Sequence, residues 1–407
     1  MTVGVQTFCG QRLTEARRAR GLHKNILADI VGVTRQTISK YEEGKEKPQE
    51  ERLAVIAKQL AFPVEFFTRP AWPEALDLVF WRSRASETKG AREVTAQRMY
   101  WLCELFSFLE REVDFPAIVV PEMILPKDFR QITPDAIEIA AQSVRNLWGL
   151  RDRPVPDMTL ALENAGIPVV NLEILSDKQD GFSFTSLLLA RVFVGINTYN
   201  VSAARARYDI AHELGHVVLH RNLVAPQQAR DPINHPILEQ QAHRFAGAFL
   251  FPREQFLKES RIASLDYFCA LKKKWGVSIA AMIYRAHDLG LIDDAEKVGL
   301  YTSMARRGWR GSLREPFDRP EDMPLERPRM LKRGVEVVID SGIFGKEVIQ
   351  GALALPDREI EQLGGLNAGF FQSGEVVQLA RPKRARGLNV VDLESGNVLE
   401  FRSDRQK

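Results

Sequence analysis

Five residues, His212-Glu213-Leu214-Gly215-His216, inside YDIAHELGHVVLH, constrain this chain more than any other feature. On an α-helix, positions i and i+4 lie one above the other on one face, so both imidazoles can address one ion. The glutamate between them then sits where it can take a proton from a water acidified by a metal. Ile210, Leu214, Val217 and Val218 supply an apolar side that packs the helix. Two histidines do not complete a catalytic zinc site, which takes three protein ligands and keeps a further position open. The third ligand has to come from elsewhere in the chain. Glu239, in LEQQAHRFAGAFLFP, is the best placed, at the start of the next strong helical pattern, with Asp231, His235 and His243 as rivals. His243 lies four residues after Glu239 and shares its face, so it either orients that ligand or replaces it. His220 stands in the same relation to His216. We read both as orienting ligands or packing their helices. Tyr199, Tyr208 and His235 are candidates for an extra oxyanion donor, each equally readable as structural.

Residues 10–68 read as a small all-helical unit. The segment ILADIVGVTRQTISKYEEGKEKP sets a short helix, a tight turn at Gly32 and a second helix in helix-turn-helix order. Thr34 is a plausible N-cap, and Ile38 and Tyr41 face inward at a spacing of three. A bundle needs the buried Leu27, Ala28, Val31, Val33 and Ile38, but it gives no reason for the exposed polar series that begins Thr34-Arg35-Gln36. Arg35, Gln36 and Thr37 would reach base edges in the major groove, Ser39 and Lys40 bases or phosphates, and Lys24 a phosphate. Double-stranded operator DNA is the expected partner. A homodimer is expected too, because one short helix reads few bases and paired half-sites add affinity.

Composition sets the frame for these motifs. With 407 residues, 45% hydrophobic and 27% charged, the chain has room for several domains of a soluble globular protein. A net charge of +3 permits nucleic acid without requiring it. Cys9, Cys103 and Cys269 form no CxxC pair, which argues against a disulfide scaffold and a thiolate metal site. The N-terminal residues lack the pattern of a signal peptide, and no run of 18 apolar residues occurs, so a cytoplasmic location and no membrane partner are expected.

The expected domains are 1–69, helix-turn-helix; 70–115, a linker with Pro70, Pro73 and the polar run RSRASETKGARE, then a connecting helix over Val94–Val113; 116–300, mixed; and 301–407, a small mixed C-terminal region. In the third, helices are predicted at 136–147, 158–165, 203–220, 239–250, 262–274 and 278–288, and strands at 167–170, 180–185 and 191–196. An extended substrate would dock beside a strand, and Arg191–Ile196 offers one candidate edge. In the last, 306–328 reads as an extended connector, and Val335–Ile339, Val376–Leu379 and Leu388–Val391 as short strands. The fold class is multidomain: an all-α domain, an α+β domain with the metal motif, and a mixed tail.

Both motif regions resemble known families. LADIVGVTRQTISKYEEGKEKP, including Gln36, Gly44 and Pro48, resembles the phage-repressor-like helix-turn-helix family of the xenobiotic-response-element type. Lys24 departs from it, standing where that family commonly has glutamine. AHELGHVVLH with EQQAHRFAGAFLFP resembles the ImmA/IrrE family of metallopeptidases, over residues from about 160 to 290. Its second motif, Glu-x-x-Ala-Asn/Asp-x-Phe-Ala, is kept at Glu239, Ala242, Phe245 and Ala246, with Pro252 beyond and His243 in place of Asn or Asp. The resemblance implies a zincin-like domain with Glu213 as general base and zinc on His212, His216 and Glu239. Manganese or iron also suit two imidazoles and a carboxylate. It also implies a regulator of phage, mobile-element or stress genes whose peptidase cleaves a repressor-type protein partner or the chain itself. Two further readings follow: a transcription factor whose metal domain senses without cleaving, and an antitoxin-like protein with a toxin partner. LPDREIEQLGGLNAGFF resembles the C-terminal ends of long proteins with this pairing.

Overall fold

In the computed structural model, residues 4–74, 79–83, 89–172, 179–221, 228, 231–260, 262–372, 390–391 and 398–399 are described. Two compact units appear, Met1–Phe371 and Gln372–Lys407.

The first unit begins with α1 (Gly10–Ala19), α2 (Lys24–Val31), α3 (Arg35–Glu42) and α4 (Glu50–Leu60). Leu13, Ala16, Leu27, Val31, Ile38, Leu53, Ile56 and Leu60 are all buried, which explains the three-to-four spacing of apolar residues in this stretch. Gly32, at a φ of 67°, ends α2 in the left-handed region, and the Val33 N–H returns to the Ala28 carbonyl at 3.0 Å. Thr34 caps α3 by accepting the Thr37 N–H at 3.1 Å. A long helix, α5 (Lys89–Leu109), follows the short strand β1 (Val79–Ser83). The α5 aromatics are core: Trp101 is wholly buried against Phe62 and Phe66, and its Nε1–H donates to Glu15 at 3.2 Å.

The middle of the unit holds α6 (Pro134–Leu147), α7 (Met158–Asn164), β2 (Val169–Leu172), β3 (Gln179–Ser186), β4 (Arg191–Asn197), α8 (Ala203–Leu219) and α9 (His235–Leu250). After them come α10 (Arg253–Glu259), α11 (Leu265–Trp275), α12 (Ile279–Asp288) and α13 (Asp294–Arg306). The sheet order is β1-β3-β4-β2, with β1 and β4 antiparallel to β3, and β2 parallel to β4. Strands alternate their faces with period two. Val169, Val192, Val194 and Ile196 enter a core shared with α6 to α12. Val170, Phe182, Phe184 and Phe193 enter a second core with the N-terminal helices and α5. The sheet thus divides two cores, and Gly181 and Ser183 look toward α8.

Two expectations are corrected. Arg191–Ile196 is not a sheet edge, because β4 is flanked by β3 and β2 and is buried along its whole length. Val335–Ile339 is not a strand but lies inside α14 (Met330–Asp340). Leu331, Val335 and Val338 are buried at a spacing of four and three, so a helical stripe outweighs the β-branched composition. With α15 (Lys346–Leu353) and α16 (Asp357–Gly364), α14 completes the second core.

The connector 306–328 is irregular but anchored. The buried Lys272 Nζ meets Asp318 at 2.6 Å and Glu315 at 2.8 Å, and Glu315 accepts the Ile279 N–H at the head of α12. Val376–Leu379, residues 84–88 of the polar run and residues 388–389 lie outside the described residues. In the second unit, β5 (Val390–Val391) pairs antiparallel with β6 (Val398–Leu399). Among the described residues, no helix is long and apolar enough to cross a membrane.

Candidate metal centre and helix-turn-helix

α8 starts at Ser202, whose hydroxyl accepts the Arg205 N–H at 3.3 Å. It then runs through the middle of the first core, so His212, Glu213, His216 and His220 are all buried. Gly215 sets the approach of α9. A β-carbon at that position would stand 3.1 Å from Ala242 Cα, 3.2 Å from the Ala242 carbonyl oxygen and 3.2 Å from Phe245 Cβ. With no side chain there, the two helices close on each other, and Glu239, one turn before Ala242, reaches the histidines.

Three side chains converge. His212 Nε2 and His216 Nε2 are 3.1 Å apart, His212 Nε2 is 3.3 Å from Glu239 Oε2, and His216 Nε2 is 3.3 Å from Glu239 Oε1. Ligand bonds of about 2.05 Å in a tetrahedral zinc site put neighbouring ligand atoms about 3.3 Å apart. The donor set and spacing therefore fit a four-coordinate ion of that size. The ring partners agree. His216 Nδ1 lies 3.0 Å from His220 Nδ1, His220 Nε2 lies 2.9 Å from Gln241 Oε1, and the Gln241 amide donates to the Phe129 carbonyl at 2.8 Å. Read from the carbonyl end, this chain gives His220 its proton on Nε2 and His216 its proton on Nδ1, leaving the His216 Nε2 lone pair toward Glu239. Burial first, then the neighbouring His216, pushes His220 down to about 3, so it stays neutral and can accept. Burial would raise the Glu239 carboxyl, but its bonds with His212 and His216 outweigh this and hold it well below the usual carboxylate range.

Glu213 occupies the sheet side of α8. Its Oε2 accepts the Ser183 hydroxyl at 2.7 Å, and Gly181 leaves room for its Oε1, which would lie 3.3 Å from a β-carbon there. The rivals fall at different distances from this centre. His243 is close, its ring 4.5 Å from that of His212, and it joins His212 and Glu239 in a group whose ligand atoms lie within 4.8 Å of one another. Tyr208 donates its hydroxyl to the His243 carbonyl at 3.0 Å, which ties it to α9. His235 stands half-exposed at the rim, its Nδ1 4.0 Å from Glu239. Asp231 accepts the Ile233 N–H at 2.8 Å in the turn before α9. Tyr199 is exposed in a cavity of about 500 Å³ that also includes Tyr301 and Trp309 and none of the motif residues.

Ser183 and Gln241 escaped the sequence reading. Period two puts Ser183 on one strand face with Gly181, but only tertiary packing says that this face meets Glu213. Gln241 sits beside Glu239 in EQQAH, where one glutamine looks like the next.

In the N-terminal domain, Arg35 and Gln36 are exposed at the start of α3. Thr34 and Thr37 share a hydroxyl contact of 2.9 Å. Lys24 is turned inward, 3.1 Å from Glu42 and 3.2 Å from Ser39 Oγ. Lys40 meets Glu46 at 2.5 Å in a solvated pair, which contributes little and is readily exchanged.

Comparison with known proteins agrees with this division. Residues 13–67 match a helix-turn-helix family, and residues 162–287 match a peptidase family described as the IrrE N-terminal-like domain. The chain is 41% identical over 63 residues to an uncharacterised transcriptional regulator in the ATPase CF(0) region of Rhodospirillum rubrum, covering 16% of this chain and 58% of that one. It is 33% identical over 63 residues to an uncharacterised helix-turn-helix-type transcriptional regulator of Rickettsia prowazekii, covering 16% and 48%. A prophage-derived uncharacterised regulator of the same type from Bacillus subtilis is 33% identical over 60 residues, covering 15% and 56%. The chain thus spans about half the length of the curated relatives it matches.

Proposed function

We propose that this chain, which joins a helix-turn-helix domain to an IrrE N-terminal-like peptidase domain, is a DNA-binding regulator with a metal-dependent endopeptidase site. Its substrate is a repressor-type protein or the chain itself, and its cut controls phage, mobile-element or stress genes in the cytoplasm. The observation that carries the reading is the convergence of His212, His216 and Glu239, with ligand atoms 3.1 to 3.3 Å apart, beside a buried Glu213.

Those three residues would hold the metal. Zinc suits them best, and manganese or iron are the alternatives. When bound, such an ion supplies Lewis acidity toward a water and a scissile carbonyl. The chain's own residues do the rest. Glu213 takes the proton of the attacking water and returns it to the leaving amine. Ser183 holds one of its oxygens and so orients the carboxylate toward the water. His220, Gln241 and the Phe129 carbonyl fix the His216 ring and its tautomer. His243 closes the far side of His212. Packing of α8 between the sheet and α9 keeps bulk water from the general base, which strengthens each of these interactions.

At the other end, α3 enters the major groove with Arg35 and Gln36 at base edges and Thr34, Thr37 and Ser39 at bases or phosphates. Lys40 can exchange Glu46 for a phosphate. Lys24 has to leave Glu42 to do the same. A homodimer supplies two such helices to paired half-sites.

The test is cleavage. Purified chain with one equivalent of zinc is mixed with helix-turn-helix repressors encoded nearby, with and without operator DNA, and products are read by mass spectrometry. A cut present in the parent and absent in Glu213→Gln supports the reading. Intact partners and an intact chain, with metal and operator both bound, would instead make it a non-cleaving transcription factor or an antitoxin-like protein.

A further inference from the structure

The peptidase reading leaves open where an extended substrate docks, and the sheet gives an answer. A peptide adds to a sheet only where backbone N–H and C=O groups are unpaired, at an edge. Glu213 touches β3 at two residues, Gly181 and Ser183. The inner side of β3 is taken by β4, so the outer side of β3 is the strand edge nearest the general base. That edge is filled by the chain itself. In β1, Arg82 stands opposite Gly181 and Phe80 opposite Ser183, so the interdomain strand runs antiparallel past the two residues that touch Glu213. The ladder slips between Arg82 and Ser83, directly after the Gly181 pair. Such irregularities gather beside active sites and at sheet edges.

A second observation shows how the strand is held. Glu74, just before β1, reaches the turn that joins β3 to β4. Its carboxylate accepts the Ser186 hydroxyl at 2.5 Å, the Leu188 N–H at 3.2 Å and the Leu187 N–H, and it also accepts Trp72 Nε1–H at 3.3 Å. One side chain of the linker thus takes four donors, three of them on the hairpin whose edge β1 covers. Trp72 is itself buried in the core shared with the N-terminal helices. The entry to β1 is therefore pinned at a fixed point on the hairpin.

We propose that the outer edge of β3 is the docking edge for an extended polypeptide substrate, and that residues 79–83, latched by Glu74, are its resident occupant. A substrate segment engages the site by replacing β1 in the ladder. The proposal rests on the peptidase reading for its purpose, but docking can be measured without turnover.

The experiment uses a fluorescein-labelled peptide spanning residues 77–85 and the zinc-loaded full chain, with Glu213→Gln in every sample so that nothing is cut. Anisotropy compares the latched chain with one that also carries Glu74→Ala. We expect the unlatched chain to bind the peptide at least tenfold more tightly, because its edge is vacated more often. Equal affinity in the two chains, or no binding in either, overturns the proposal. Hydrogen exchange on the chain with its latch intact needs no folding assumption about the variant. On adding saturating peptide, the amides of 79–83 should lose protection while those of 179–186 keep theirs, and unchanged protection at 79–83 overturns the proposal. A chain that docks the peptide yet cuts no partner contradicts the peptidase reading alone. A chain that cuts its partner at the same rate with and without Glu74 and docks no peptide contradicts this one alone.

Discussion

Replacing Gly215 by alanine tests the helix crossing that assembles the site. The added methyl would stand 3.1 Å from Ala242 Cα, 3.2 Å from the Ala242 carbonyl oxygen and 3.2 Å from Phe245 Cβ. Carbon contacts settle at about 3.5–4.0 Å, and two of these neighbours are backbone atoms that cannot swing aside. The helices must therefore part by roughly 0.5 Å, which also displaces Glu239, one turn away on α9. Overpacking of this kind costs about 1–3 kcal/mol. The intrinsic preference of a helix for Ala over Gly returns about 1 kcal/mol. The metal-free variant should thus lose about 1 kcal/mol in chemical denaturation, a modest effect. Metal binding should suffer more, since a ligand set works only within about 0.5 Å of its proper geometry. Competition with a chromophoric chelator should show zinc affinity reduced at least tenfold. A Gly215→Ala chain that binds zinc as tightly as the parent and gains stability would mean that the Gly215–Ala242 crossing does not set the ligand geometry.

Other outcomes follow from the same packing. Gln241→Leu cuts the link from the Phe129 carbonyl to His220 and His216, so zinc affinity should fall about 10- to 100-fold, and the buried groups left unpaired should cost the metal-free chain about 1–3 kcal/mol. Trp101→Ala empties a buried site between the N-terminal helices and α5 and should cost about 3–5 kcal/mol, read by denaturant titration. Glu163, a buried residue of α7, is pushed up to about 7 by burial, against the N–H bonds it accepts from Met330 and Arg329. A carboxyl raised on folding contributes stability that is complete below about pH 4.5 and is lost as pH rises through 7, about 3 kcal/mol in all. The parent should therefore lose stability from pH 5 to pH 8, and Glu163→Gln should flatten that slope. An equally steep loss in the variant would assign it to other groups.

What the sequence disclosed depends on whether the signal is local. His212 and His216 stand one turn apart on one helix, so their convergence is fixed by helical geometry alone, and Glu213 follows His212 directly. Thr34 as an N-cap and the left-handed turn at Gly32 are equally local. Glu239 was legible because it opens an apolar helical run, although its approach to the histidines depends on Gly215 meeting Ala242, a contact between two helices. Ser183, Gly181 and Glu74 were not legible, since each acts on a group distant in sequence, the first two on Glu213 where the sheet packs on α8 and the third on the turn after β3. The same non-locality made Arg191–Ile196 look like an edge when β3 pairs its whole length and β2 takes the other side from Val194 onward. At Val335–Ile339, five residues were too short a window, and the buried stripe from Leu331 to Val338 shows the helical period.

The most direct test of the account is X-ray absorption at the zinc edge on the full chain loaded with one equivalent of metal. Two imidazole nitrogens with oxygen donors at about 2.0–2.2 Å, in a four-coordinate shell, are predicted. One imidazole should vanish in His216→Ala, and both should remain in Glu213→Gln. A shell of oxygens alone, or one that His216→Ala leaves unchanged, would contradict the assignment of this helix pair as the metal site.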